Sequence, residues 1–368
     1  MTRKKILCAI GTRPEAIKMA PVILALKKCQ EIDCRILATA QHRQMLDQVL
    51  RIFEINADID LNIMRPGQTL TTLTARLLRS LDSVLKAEQP DAVLAQGDTT
   101  TVMTIALACF YDKIPFGHVE AGLRTGDMGN PFPEEMNRVV AGRLAKWHFA
   151  PTESARQNLL NEGISADEVF VTGNTVIDAL LSTAERETPL PFPLSPDKRL
   201  VLLTAHRREN FGEPFKNICR AVLSLVEHNP DVHVVYPVHP NPNVKNVAYS
   251  LLDKHPGITL CDPLDYLPFV EVMKRSYFIL SDSGGVQEEA PALGKPVLVL
   301  RRVTERPEAV LEGVVQLVGT AYDDITRAAQ LLLDNKTAYK EMARGVSPYG
   351  DGRAAHRIAS VLLKHFAS

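Results

Sequence analysis

Ala92-Val93-Leu94-Ala95-Gln96-Gly97-Asp98-Thr99-Thr100-Thr101, with the residues that follow it up to Pro115-Phe116-Gly117-His118-Val119, is the stretch that decides the fold. Residues 92–96 form a short continuous apolar run, as in a strand covered on both faces. Residues 100–111 are long enough for the covering helix, and 115–119 return to a buried strand. Strand, helix and strand in that order point to a parallel sheet with helices on both sides. The alternation continues outward. Strands are expected at 6–10 and 35–39, and helices at 14–28, 43–53 and 70–88. The last of these carries Leu73, Leu77, Leu81 and Leu85 on one face. Pro189, Pro191, Pro193 and Pro196 then break the pattern as a linker does. Beyond them, strands at 200–204, 232–238, 258–261, 277–281 and 296–300 alternate with helices at 214–228, 266–275 and 286–293. The expected architecture is α/β: two doubly wound Rossmann-like domains, 1–182 and 199–352, facing each other across a cleft. A C-terminal helix, 353–368, is expected to pack back on the first domain.

Composition fits this reading. The 368 residues suffice for two cores, and 45% hydrophobic with 23% charged residues excludes a mostly disordered chain. Lys and Arg number 42 against 43 Asp and Glu, a formal charge of −1. That balance gives no global attraction to nucleic acid or an acidic membrane. The longest apolar stretches fall well short of the roughly 20 residues that span a bilayer. Six cysteines without a CxxC pair suggest a reduced, cytoplasmic protein with neither a disulfide framework nor a cysteine metal site.

Open parallel sheets bind ligands beyond the carboxyl ends of their strands, and four such turns are chemically loaded. In Gly11-Thr12-Arg13-Pro14-Glu15 through Lys18, Thr12 is a good N-cap and Pro14 suits a first helical turn. Arg13 and Lys18 place two cations where the helix dipole disfavours them, a conflict that an anion would resolve. Neither GxGxxG nor GxxxxGK[ST] occurs. In the second turn, Gln96 to Thr101, Asp98 reads either as a helix N-cap or as a cleft acid. The third region runs from His118-Val119-Glu120 to Arg124-Thr125 and on to Pro133-Glu134-Glu135 and Asn137-Arg138. Glu134 would suit a helix start with Arg138 as its i,i+4 partner. Asp98, Glu120 and Glu134 together make three acids on strand exits. Such a cluster pushes pKa values apart and creates acids and bases. The fourth turn, Asp282-Ser283-Gly284-Gly285, opens a helix that carries Glu288 and Glu289, and is a phosphate cradle in kind. Thr204 to Asn210, with His206 beside Arg207-Arg208, and Thr304 to Glu308 belong with it.

Taken together, these segments and Gln41-His42-Arg43-Gln44 resemble the non-hydrolysing UDP-N-acetylglucosamine 2-epimerases, which share the glycosyltransferase B fold. The resemblance covers nearly the whole chain. It implies interconversion of UDP-GlcNAc and UDP-ManNAc for surface polysaccharides, with no metal, no redox cofactor and a homodimer. It implies that Asp98, Glu120, Glu134 and His206 are catalytic. It further implies that Arg13, Lys18, Arg138, His206, Phe269, Ser283, Gly284, Gly285, Glu289 and Arg306 bind the UDP-sugar. Gln41, His42 and Gln44 match the segment that holds a second UDP-GlcNAc as activator in some members. The Arg that accompanies it there is replaced here by Gly67, so a weakened activator site is expected. A UDP-sugar glycosyltransferase of the same fold and a hydrolysing epimerase releasing free ManNAc are the competing readings.

Overall fold

The computed structural model describes residues 3–39, 43–65 and 67–367, with residues 43–45 described in backbone only. The chain divides into two compact units. The first is Met1–Ala179 with Tyr349–Ser368, and the second is Leu180–Pro348.

The first unit contains β1 (Lys4–Ile10), α1 (Arg13–Lys27), β2 (Ile32–Ala38), α2 (Arg43–Ile52), β3 (Ile59–Asp60), α3 (Leu70–Glu88) and β4 (Ala92–Gln96). It continues with α4 (Thr100–Tyr111), β5 (Phe116–Val119), α5 (Glu134–Leu144), β6 (Trp147–Ala150), α6 (Glu153–Asn161), β7 (Val169–Val171) and the start of α7 (Thr175–Ala184). The strands form one parallel sheet in the order β3-β2-β1-β4-β5-β6-β7. Every residue of β4 is buried, because helices cover both sides. In α3 the four leucines at i,i+4 spacing are all buried, and Thr69 caps the helix by accepting from Thr72 N–H. The helix stops at Gln89, which adopts the left-handed conformation and returns its N–H to Leu85 O.

The second unit holds β8 (Arg199–Thr204), α8 (Glu213–His228), β9 (Val232–Pro237), α9 (Pro242–Leu252), β10 (Ile258–Cys261), α10 (Tyr266–Arg275) and β11 (Phe278–Ser281). After these come α11 (Gly284–Glu289), β12 (Val297–Val299), α12 (Pro307–Leu311), β13 (Val315–Leu317), α13 (Tyr322–Asp334) and α14 (Lys336–Met342). Its sheet, β10-β9-β8-β11-β12-β13, is again parallel. Its core joins Phe215, Ile218 and Val222 of α8 to Val234 and Tyr236 of β9 and Phe278 of β11.

The last helix, α15 (Ala354–Ala367), belongs to the first unit and packs on α1. Asp178 fixes its start, accepting from Ala355 N–H at 2.9 Å and Ala354 N–H at 3.2 Å. Both sheets reverse winding direction beside their first strand, between β1 and β4 and between β8 and β11. Ligands of doubly wound sheets bind at such switch points. The loops that leave these strands are the turns singled out above. Among the described residues, no helix is long and apolar enough to cross a membrane.

Candidate active site

Gly11 leaves β1 with an ordinary backbone conformation. Its lack of a side chain answers a different need, since a Cβ there would lie 2.6 Å from Thr39 Oγ1. Thr12 and Glu15 form a reciprocal capping box at the start of α1. Glu15 is buried. One carboxylate oxygen accepts from Gly11 N–H at 2.6 Å and Thr12 N–H at 3.0 Å, and the other from the Thr99 hydroxyl at 2.7 Å. One acid therefore ties the β1 exit to the β4 exit. Burial raises the Glu15 pKa against these hydrogen bonds. A raised folded-state pKa means that stability falls as pH rises through it. Glu15→Gln is expected to keep the oxygen acceptor for the two N–H groups and to abolish that fall. Glu15→Ala is expected to leave donors unpaired, at a cost of about 1–3 kcal/mol for each one that stays buried. Urea unfolding across pH checks both variants.

Asp98 does not cap α4. Thr99 does, accepting from Val102 N–H at 3.3 Å. Asp98 is instead half-buried beside α5, where Arg138 donates to its carboxylate at 2.7 Å. Burial raises its pKa, Arg138 and Lys18 oppose the rise, and Glu134 adds to it. Glu134 starts α5 as the sequence suggests. Arg138, however, pairs with Asp98 and with Glu135 at 3.5 Å, not with Glu134 at i,i+4 spacing. Glu120 sits just past β5 with φ of 65°, a left-handed conformation that is costly for a non-glycine residue. Lys18 donates to its carboxylate at 2.5 Å and the Gln96 amide at 2.7 Å. Asp98, Glu120 and Glu134 are therefore brought into one electrostatic cluster, with Lys18 and Arg138 as its cations. Arg13 is half-buried and makes no ion pair among the described residues. Glu135 is buried and accepts from the N–H groups of Thr125 and Gly126, both at 3.0 Å.

In the second unit, Asp282 is fully buried at the end of β11. One of its oxygens accepts from the backbone N–H groups of His206 at 2.9 Å and Arg207 at 2.8 Å, and from the Asn210 amide at 3.0 Å. It thus fixes the β8 exit to the β11 exit. His206 is not a core histidine. Its side chain is 43% exposed and stacks on His239, with ring centroids 5.3 Å apart. Burial of the rest lowers its pKa, with the Asp282 charge opposing, which favours the neutral ring. Ser283 precedes α11, Gly284 and Gly285 open it, and Gly285 is exposed. Phe269 on α10 and Glu289 at the end of α11 are half-buried. Arg306 pairs with Glu288, and its backbone N–H donates to Thr304 Oγ1 at 3.0 Å. Arg301 is buried between Glu209 at 2.7 Å and both oxygens of Glu305 at 2.8 and 3.0 Å. Arg301 holds the Glu305 pKa down at about 2. That network links the β8 loop to the segment carrying Arg306.

Gln41 and His42 lie outside the described residues, and of Gln44 only the backbone in the first turn of α2 is described. Gly67 has φ of 69°, and none of the described residues lies within 4 Å of where a Cβ would stand. Among the described residues, no group of three His, Cys, Asp or Glu side chains is arranged to hold a metal ion.

Sequence reasoning missed Glu15, although Thr-x-x-Glu is a legible signal for a capping box. It also missed Asp282 and Arg301 as organisers. Their partners are far away along the chain, and no local pattern reports them.

The sequence profile of UDP-N-acetylglucosamine 2-epimerase matches residues 24–363. The UDP-N-acetylglucosamine 2-epimerase of Yersinia pestis is 53% identical over 371 residues, covering 98% of this chain and 99% of its own. The crystal structure of the UDP-GlcNAc 2-epimerase from Neisseria meningitidis bound to UDP-GlcNAc superposes with a TM-score of 0.88 at 51% identity, over 98% of this chain and 100% of that one. The glycotransferase of kitacinnamycin, 11% identical with a TM-score of 0.69 over 99% of each chain, shares the fold alone. With half of all positions identical to such relatives across both units, the chain belongs to the UDP-N-acetylglucosamine 2-epimerase family.

Proposed function

We propose that the protein interconverts UDP-N-acetylglucosamine and UDP-N-acetylmannosamine without hydrolysis, by eliminating UDP and adding it back. The observation that carries this reading is the single cluster of Asp98, Glu120 and Glu134 with Lys18 and Arg138. The sugar's C2 proton has no neighbouring carbonyl, so no side chain removes it directly at neutral pH. Once the C1–O bond breaks and UDP leaves with the electron pair, C1 gains oxocarbenium character and the C2 proton becomes acidic. A carboxylate takes that proton and leaves 2-acetamidoglucal. Return of a proton to the other face of C2, with attack of a UDP oxygen on C1, gives the epimer. Atoms and electrons balance with no oxidant.

Two proton transfers on opposite faces need acids in different protonation states. The surroundings of Asp98 and Glu120 differ. Asp98 is raised by burial, while Glu120 is one half of an ion pair. In the second unit, His206 and the Ser283-Gly284-Gly285 turn would take the nucleotide, with Arg306, Glu289 and Phe269 beside them. Charge on the departing UDP would be met there by backbone N–H groups. Arg13 and Lys18 are the cations that the first unit offers to an anion. The family resemblance also supports a homodimer in the cytoplasm. Incubation with UDP-GlcNAc in D2O, followed by NMR, tests the reaction. The expected result is UDP-ManNAc carrying deuterium at C2 with no free sugar. Free N-acetylmannosamine, or an epimer without deuterium, would refute it.

A further inference from the structure

His118 lies in β5 with no exposed surface, and Asn137 in α5 is 1% exposed. Each side chain makes one hydrogen bond among the described residues. The His118 Nε2–H donates to Gly97 O at 2.7 Å, and the Asn137 amide donates to Asp98 O at 2.9 Å. The other polar atoms of these side chains, His118 Nδ1 and Asn137 Oδ1, are buried with no partner among the described residues. Burial holds the imidazole pKa down at about 4, so the ring stays neutral and the Nε2 proton stays in place. The two carbonyls are consecutive. They belong to the peptide units on either side of the Asp98 Cα, and Gly97 has φ of 91°, where the chain turns sharply out of β4.

For folding alone this is a poor arrangement. A buried polar atom without a partner is destabilising, and apolar residues of the same shape would avoid that cost. Phe116 already lies alongside, its ring centroid 6.1 Å from that of His118, so an aromatic ring without nitrogen fits the site chemically. What an apolar replacement could not do is hold the two carbonyls. We propose that His118 and Asn137 are positioning residues for the epimerisation. They clamp the backbone on both sides of Asp98 and thereby aim its carboxylate within the acid cluster. The inference rests on the proposed role of Asp98 in proton transfer. The tolerance is narrow: a displacement of about 1 Å at a reacting group can cost roughly 100-fold in rate.

The test uses the full-length protein and UDP-GlcNAc as substrate, with His118→Phe, Asn137→Leu, His118→Gln and Asp98→Asn assayed side by side. A glutamine amide places a donor near the position of the imidazole Nε2, so it is the rescuing variant. His118→Phe and Asn137→Leu are expected to lower kcat by about 10–100-fold with KM and UDP affinity unchanged. His118→Gln is expected to recover most of that loss. Unchanged kcat in both folded variants overturns the proposal. So does a loss shared between kcat and UDP affinity that glutamine does not restore, because the role is then structural. If one variant does not fold, the other decides; if neither folds, the residues serve the fold and the proposal fails. Asp98→Asn separates the two layers. An active Asp98→Asn removes the proposed role of the acid itself, whereas an inactive one beside an active His118→Phe sinks only the clamp.

Discussion

Asp98→Asn, Glu120→Gln and Glu134→Gln are each expected to lower turnover by about 10²–10⁴-fold, the usual effect of losing a positioned acid or base. Each replacement keeps the size of the side chain and removes its titration. UDP affinity is expected to survive, because the nucleotide is assigned chiefly to the turns of the second unit. The three variants should not fail alike. Lys18 and Gln96 hold Glu120, whereas Arg138 holds Asp98. Elimination and re-addition are therefore expected to draw on different acids. At least one variant is expected to release 2-acetamidoglucal and UDP, since it still eliminates but no longer completes the return. Mass spectrometry of the products and calorimetry with UDP provide the measurements. Near-wild-type turnover in all three would make the cluster structural. Loss of UDP binding in all three would overturn the division of labour between the units.

The second large effect is expected at Asp282. Its carboxylate has no exposed surface and receives three donors, from His206, Arg207 and Asn210. Hydrogen bonds to a charged group contribute about 1.5–3 kcal/mol each, so Asp282→Ala is expected to destabilise the protein by about 3 kcal/mol or more. Asp282→Asn keeps one carbonyl oxygen and is expected to lose less. Both should weaken UDP binding, because the His206-Arg207 backbone is no longer tied to the strand that delivers Ser283. Urea midpoints and calorimetric UDP affinities read the two effects. A midpoint unchanged in Asp282→Ala would show that the loop is held by something else.

The architecture was legible wherever burial is continuous. Residues 70–88, 92–96 and 100–111 fold as read, with the same boundaries, because long amphipathic or fully apolar runs leave little choice of structure. The reading was shorter than the element at β2, expected from 35 and observed from Ile32. Pairing of Lys4 to Ile32 and Lys5 to Asp33 extends that strand past its apolar part. Two-residue β3 and the short β6, β7 and β13 escaped notice because so few residues carry no period.

Residue types and their order along the chain settled the fold class, the loaded strand exits and the family. These follow from apolar periodicity and from motifs a few residues long, which local chemistry dictates. Tertiary structure alone decided the pairings: Arg138 with Asp98, Lys18 with Glu120, Glu15 with Thr99, and Asp282 with His206 and Arg207. The partners stand 40, 102, 84, 76 and 75 residues apart. Only the parallel crossovers, which carry distant strand exits to the same edge of a sheet, bring such groups within hydrogen-bonding distance.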